Sequence, residues 1–211
     1  MLKASFAILL LFLLSVKTDA QRSAFTSFWK LSCPERWWVI SHPFIAHKAF
    51  RITAEARTKC DILVNDSLLD GDPLGGQVDA FRHAYWMARL AQNMKWKKAL
   101  SLGIAHEKAN KISFKKSKMD EEGMLPDSVS SAMDLFNNGV GVTIGCNFKY
   151  FSKEEIYNSI IENIIKGKLK VVFKDANKRE LNCDGTLLDQ NLFKGKWDIP
   201  KCLVGSDILF K

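Results

Sequence analysis

The sequence predicts a mainly α-helical fold: a single compact multi-helix domain, with a short β-hairpin near the C-terminus. Apolar residues recur three and four apart through most of residues 41–166, the period of an amphipathic or buried helix. Helix-start signals precede several of these runs, including the capping box Ser152-Lys153-Glu154-Glu155. Only KLKVVFKDANKRELN (168–182) reads as strand, with β-branched residues ahead of a polar turn. The organisation expected is a signal peptide over 1–20, an aromatic lead-in over 21–40, a helical core over 41–150 and a C-terminal helix with a loop-rich tail over 151–211.

The first segment has Lys3 as a charged start, an unbroken apolar run over residues 6–14, and a small residue, Ala20, at its end. That pattern predicts a secretory signal peptide cut after Ala20, and so a secreted or periplasmic protein. The run is shorter than the about 20 residues that cross a bilayer, and no later stretch is long and apolar enough for a transmembrane segment. Gln21 follows the cut, where a lipidated protein would carry cysteine. Removing Lys3, Lys17 and Asp19 lowers the net charge from +8 to +7. A positive balance suits an anionic partner, although the lysines are spread out and no arginine cluster marks a binding face.

In the lead-in, Trp29, Trp37 and Trp38 are expected to pack on the domain; a membrane or carbohydrate contact is the alternative for Trp37-Trp38. Ser41-His42-Pro43 then starts a helix, with Ser41 as cap and Pro43 in the first turn, that runs to about residue 64. His42 and His47 read as rim or core histidines outside any site. NDSLLDGDPLGG (65–76) supplies turn residues. From Gly75 the segment GGQVDAFRHAYWMARLAQNM reads as a helix apolar on nearly every side, hence buried. Asp79, Arg82, His83 and Trp86 share one stripe of it. In the next helix Ala99, Leu102, Gly103 and His106 align inward, and Gly103 makes room for a close neighbour. KISFKKSKMDEEGMLPDS (111–128) is the candidate mobile loop over the site. Asp127 or Ser128 caps the helix that carries Asp134, Asn137 and Asn138, and Gly139, Gly141 and Gly145 bring that helix close to the Asp79–Trp86 stripe. A capped amphipathic helix then stops at Gly167. Five cysteines in an exported chain suggest disulfides with one thiol left over, one of them tying down the tail; no CxxC spacing marks a zinc knuckle.

Placing acids, imidazoles and a guanidinium on buried helices is costly unless each finds a partner. The three segments are therefore expected to turn their polar residues to one interior point. Asp79, His83, His106 and Asp134 suit a divalent metal, with zinc, manganese, iron or nickel favoured by mixed imidazole and carboxylate donors. Glu107 then serves as general base on a bound water, while Arg82, Asn137 and Asn138 hold an anionic substrate or developing oxyanion. A metal-free variant uses His83 as base, oriented by Asp79 or Asp134.

The order His83, His106-Glu107, Asp134 is similar to the His, His-Asp, Asp pattern of the HD phosphohydrolases, with Glu107 in place of that family's Asp. DAFRHAYW (79–86), AHE (105–107) and MDLFNN (133–138) with Gly141 more closely resemble an uncharacterised bacterial domain of unknown function found in secreted and toxin-associated chains. That likeness spans roughly residues 38–146. It implies that Asp79, Arg82, His83, His106, Glu107, Asp134, Asn137 and Asn138 act as a group, and it implies no substrate. The sequence departs from that pattern at Phe136, where the family commonly has histidine. The expected function is an exported metal-dependent hydrolase acting on a phosphodiester, in nucleic acid or phospholipid. The competing readings are a non-catalytic envelope or binding module, whose polar stripe is fully paired inside the protein, and a toxin-like effector.

Overall fold

Residues 26, 28–116 and 126–208 are described by the computed structural model. The signal peptide and the middle of the expected mobile loop lie outside the described residues. Helix α1 (Cys33–Ser41) begins where the Glu35 carboxylate reaches back to the Ser32 amide at 3.0 Å. The chain turns at His42 into α2 (Pro43–Val64), with Pro43 in its first turn. Ser41 does not cap α2 as expected. It is the last residue of α1, and its hydroxyl bonds back to the carbonyls of Trp37 and Trp38.

The loop after α2 serves the next helix. Asp70 accepts hydrogen bonds from the Gln77 and Val78 amides at 2.7 and 3.4 Å, the start of α3 (Gln77–Asn93), where Gly76 has no side chain to cap with. Gly75 adopts φ +85°, and a Cβ there would lie 2.9 Å from the Val172 side chain. As its pattern predicts, α3 is buried along most of its length, with Val78, Ala80, Phe81, Ala84, Tyr85, Met87, Ala88 and Leu90 all in the core. It packs against α2, α4 (Trp96–Lys115), α5 (Ser128–Asn147) and α6 (Lys153–Ile165). Asp127 caps α5 through the Val129 and Ser130 amides, and Ser152 with Glu155 forms the expected capping box on α6. The inner face of α6 is Ile156, Ile160, Ile161 and Ile164.

The α3–α5 crossing is the closest in the fold. A Cβ added to Gly141 would meet the Ala84 carbonyl oxygen at 2.2 Å, and one on Gly145 would meet that of Ala88 at the same distance. Gly139 was expected to share this role, but nothing lies within 4 Å of its Cβ position.

The C-terminal part forms the small β element in a modified way. Strand β1 (Lys170–Val172) pairs antiparallel with β2 (Leu203–Gly205), Val171 opposite Val204. The hairpin expected within 168–182 closes just after β1, through a bridge between Lys174 and Glu180 around a turn with Lys178 at φ +60°. The Cys183–Cys202 disulfide anchors the tail, as expected. The pairing stops there. Cys33 and Cys146 are exposed thiols, and Cys60 is buried on α2, where burial pushes its thiol up to about 11. The aromatic lead-in also divides: Trp38 is 5% exposed and bonded through Nε1 to Lys98 and Ser101, whereas Trp37 is 65% and Trp29 60% exposed. Among the described residues no helix is long and apolar enough to cross a membrane.

The glycines of α5 separate close packing from helix propensity. Gly141→Ala and Gly145→Ala are expected to cost about 1–3 kcal/mol each in urea unfolding, because a methyl group is driven into backbone. Gly139→Ala is expected to raise stability by about 0.5–1 kcal/mol, because only the helix gains. Equal effects at all three positions would contradict the crossing described.

Candidate functional site

Because positions four apart superpose on a helix, Asp79 and His83 of α3 point together at α5, where Asp134 and Asn138 repeat the same spacing. One ligand atom each from Asp79, His83 and Asp134 lies within 4.8 Å of the others, and all three side chains are buried. His83 Nε2 is 3.6 Å from Asp79 Oδ1 and 3.3 Å from Asp134 Oδ1.

The protonation of His83 follows from its other neighbour. Nδ1 sits 3.3 Å from Asn138 Oδ1, an atom that only accepts, so Nδ1 carries the hydrogen and Nε2 is a bare lone pair. Burial, then the nearby Arg82 and His106, hold the His83 pKa well below its usual range. Nε2 accepts from Arg82 Nη2 at 3.2 Å, and the same nitrogen of Arg82 bonds Asp79 Oδ1 at 2.6 Å. The other Asp79 oxygen accepts the Gly75 amide at 2.8 Å. Even so, burial keeps the Asp79 pKa above the ordinary carboxylate value.

Asp134 is the more extreme case. Burial and the charges of Asp79 and Glu107 push it well above the usual range. Its Oδ1 faces the His83 lone pair and has no hydrogen-bond partner among the described residues. Two further buried atoms in this group share that state, Glu107 Oε1 and Asn138 Nδ2. Glu107 Oε2 takes a bond from Asn110 at 3.2 Å, and burial raises its pKa as well. Gly103 provides the expected room: a Cβ there would stand 2.9 Å from Asn138 Nδ2.

Two expected site residues are placed differently from their neighbours. His106 lies with its ring 6.4 Å from that of His83, but its Nδ1 is 2.9 Å from Glu35 Oε1 on α1, outside the three-residue group. Asn137 turns away from the cluster. Its Nδ2 donates to the Lys170 carbonyl and its Oδ1 accepts the Lys170 amide, both at 2.9 Å, so it clips β1 onto α5.

A cleft of about 720 Å³ opens between α1, α2, α3 and α4, with Arg82, His83, Trp86, His106 and Glu35 in its lining. Asp79, Glu107 and Asp134 do not line it. Sequence reasoning left out Glu35, Arg57 and His47, which do. Glu35 announced itself only as the acid of a helix start, and His47 and Arg57 as polar positions on an amphipathic helix.

A family model described as a domain of unknown function, DUF6973, matches residues 36–168, more than half of the chain. It runs from within α1 through α6 and takes in Asp79, His83, His106, Glu107, Asp134 and Asn138, whereas Glu35 lies just ahead of it. Comparison with curated proteins returned no match, and neither did comparison with solved structures.

The raised Asp134 pKa has a consequence for stability. Above about 3.9 the unfolded chain releases this proton while the folded one keeps it, so Asp134 withdraws stability as pH rises until its own raised pKa is passed. In chelator-treated protein, Asp134→Asn is expected to be more stable than the parent at neutral pH. The gain should grow by up to about 1.4 kcal/mol per pH unit above the ordinary carboxylate range and vanish near pH 3. Thermal melts of both proteins between pH 3 and 8 measure it; a constant difference would place the Asp134 carboxyl in water.

Proposed function

Because the chain belongs to the DUF6973 family, a domain of unknown function, we propose a reaction from the geometry of its site: metal-dependent hydrolysis of a phosphodiester. The observation that carries this reading is the meeting of His83, which lines an open cleft, with two buried carboxylates outside that lining, Asp134 Oδ1 being unpaired. A purely structural network calls for every member to be paired, and three buried atoms here are not.

Asp79, His83 and Asp134 hold the ion. One imidazole and two carboxylates would suit zinc or manganese. When bound, the ion supplies a water of lowered pKa and polarises the phosphoryl oxygen. Asn138 fixes the His83 tautomer, the usual task of a residue behind a ligating imidazole. Arg82, beside the ligands and in the cleft lining, faces the phosphate charge.

The general base is His106, oriented by Glu35 much as a carboxylate orients a catalytic imidazole. It takes one proton from water as the water oxygen bonds to phosphorus. The ester P–O bond to one alcohol breaks, and the departing alkoxide takes up the proton that His106 received, giving a phosphomonoester and an alcohol and restoring the neutral imidazole. Glu107 was expected as the base. In its place behind the cleft it acts on the ion's charge through its coupling to Asp134. An oxidising, extracytoplasmic setting is part of this proposal, supported by the Cys183–Cys202 disulfide.

Calorimetric titration of chelator-treated protein with Mn²⁺ or Zn²⁺ is expected to give one equivalent bound. Asn138→Ala should weaken it roughly 10–100-fold. His83→Ala and Asp134→Ala should abolish binding, together with hydrolysis of bis(p-nitrophenyl) phosphate. No bound ion in the parent, with hydrolysis unchanged in both variants, would remove the proposal.

A further inference from the structure

The cleft is far larger than a phosphate needs, and its walls are of two kinds. One part of the lining is charged or imidazole, with Arg57, Arg82, His83 and His106 joined by Lys30, Glu35 and His47. The remainder is chiefly hydrocarbon, from Leu31, Val39, Ala46, Ala49, Phe50 and Leu102. Its volume of about 720 Å³ falls inside the roughly 300–1,000 Å³ range of small-molecule sites. The helices that build the apolar wall also carry apolar side chains into solvent. Trp37 and Ile40, three apart on α1, are exposed, and Phe44 in the first turn of α2 is 99% exposed. Large aromatic and aliphatic groups held in water at one corner suit contact with a lipid surface, where Trp sits at the headgroup level. The net charge of +8 adds attraction to anionic headgroups.

We propose that the cleft binds a single-chain or double-chain phospholipid, with a hydrocarbon chain along the Leu31–Val39–Phe50–Leu102 wall and the phosphodiester at Arg82, His83 and His106. That the head is a phosphodiester rests on the hydrolase reading; the hydrocarbon wall stands independently of it. Nucleic acid is the disfavoured substrate. A single strand is held by a basic groove with free aromatic faces for the bases, whereas Trp38 is stacked on His42 with ring centroids 4.6 Å apart. Small apolar groups such as Ala46 and Ala49 offer base edges no hydrogen bonds.

The test is binding of 1-myristoyl-lysophosphatidylglycerol, below its micelle-forming concentration, to full-length chelator-treated protein by equilibrium dialysis. The lysolipid is expected to bind at least tenfold more tightly than glycerophosphoglycerol, which has the head without the chain, and a twelve-residue oligothymidylate should not displace it. Ala54→Trp should weaken the lysolipid at least tenfold, since Ala54 is exposed along the cleft and a larger side chain there fills it without disturbing the core. Phe50→Glu should do the same by charge, and unchanged melting curves would show both variants folded. Equal affinity for head and lysolipid, displacement by the oligonucleotide, or parental affinity in both folded variants would each overturn the proposal. Because this binding is read without metal, it can fail while bis(p-nitrophenyl) phosphate is still cleaved, and hold where no metal binds.

Discussion

Two backbones approach each other where no side chain intervenes, and the arrangement of the polar groups depends on that approach. Gly141 and Gly145 set α5 directly on the carbonyls of Ala84 and Ala88, about one and two turns beyond Asn138 on α5. At an ordinary helix separation of roughly 8–10 Å, side chains fill the space between axes. Here the small residues bring the axes in, and Asp134 and Asn138 arrive at contact distance from His83. The apolar surroundings that keep this packing together also strip water from the acids. Burial is accordingly the first cause of every pKa displacement in the cluster.

The same crossing links the site to the tail. Asn137, one residue from Asn138, grips both backbone groups of Lys170, and β1 then pairs with β2, which follows the disulfide-bonded Cys202. On the other side Val172 donates to the Gly75 carbonyl at 2.8 Å, and Gly75 donates to Asp79. The C-terminal strand therefore buttresses both the α3 start and the α5 middle, although it lies largely beyond the residues matched by the family model. Its position explains why a short, two-stranded element persists: neither strand has to be stable alone.

Much of this was legible in the chain. The stripe Asp79–Arg82–His83–Trp86, its echo in Asp134–Asn137–Asn138–Gly141, and the glycines of α5 all follow from the 3.6-residue period, and α3 is buried on the sides that its alanines and aromatics mark. What the period resolves poorly is the choice between neighbours. Consecutive residues on a helix differ by about 100° in direction, so in two adjacent pairs of identical residues each member meets a different environment. Asn137 faces β1 and Asn138 faces His83; Trp37 faces solvent and Trp38 faces α4. Patterns could not rank these, since the deciding partner lies 33 to 60 positions away. Glu35 was hidden for the same reason: its local task is to close the start of α1, and its second oxygen reaches His106 across 71 positions. Gly139 shows the opposite error, a residue credited with a contact because its neighbours make one.

Charge balance carries the reading of the cluster one step further. Asp79, Glu107 and Asp134 are buried together, and the guanidinium bonded within the group is that of Arg82, already committed to Asp79. Three ionised carboxylates exceed the charge of that guanidinium; Lys174 acts on Asp79 and His106 on Glu107, yet burial still holds all three acids above their usual range. Either protons or a divalent cation can remove that excess. Protons neutralise the acids and put an uncharged carboxyl 3.3 Å from His83 Nε2, which already accepts from Arg82. On the proposed reading a divalent ion would do the same while taking up Asp134 Oδ1, and it would displace Arg82 from His83 Nε2. On that proposal the group would hold protonated acids when empty and ionised ones when loaded, and its affinity for an ion would rise with pH as the displaced protons become easier to release.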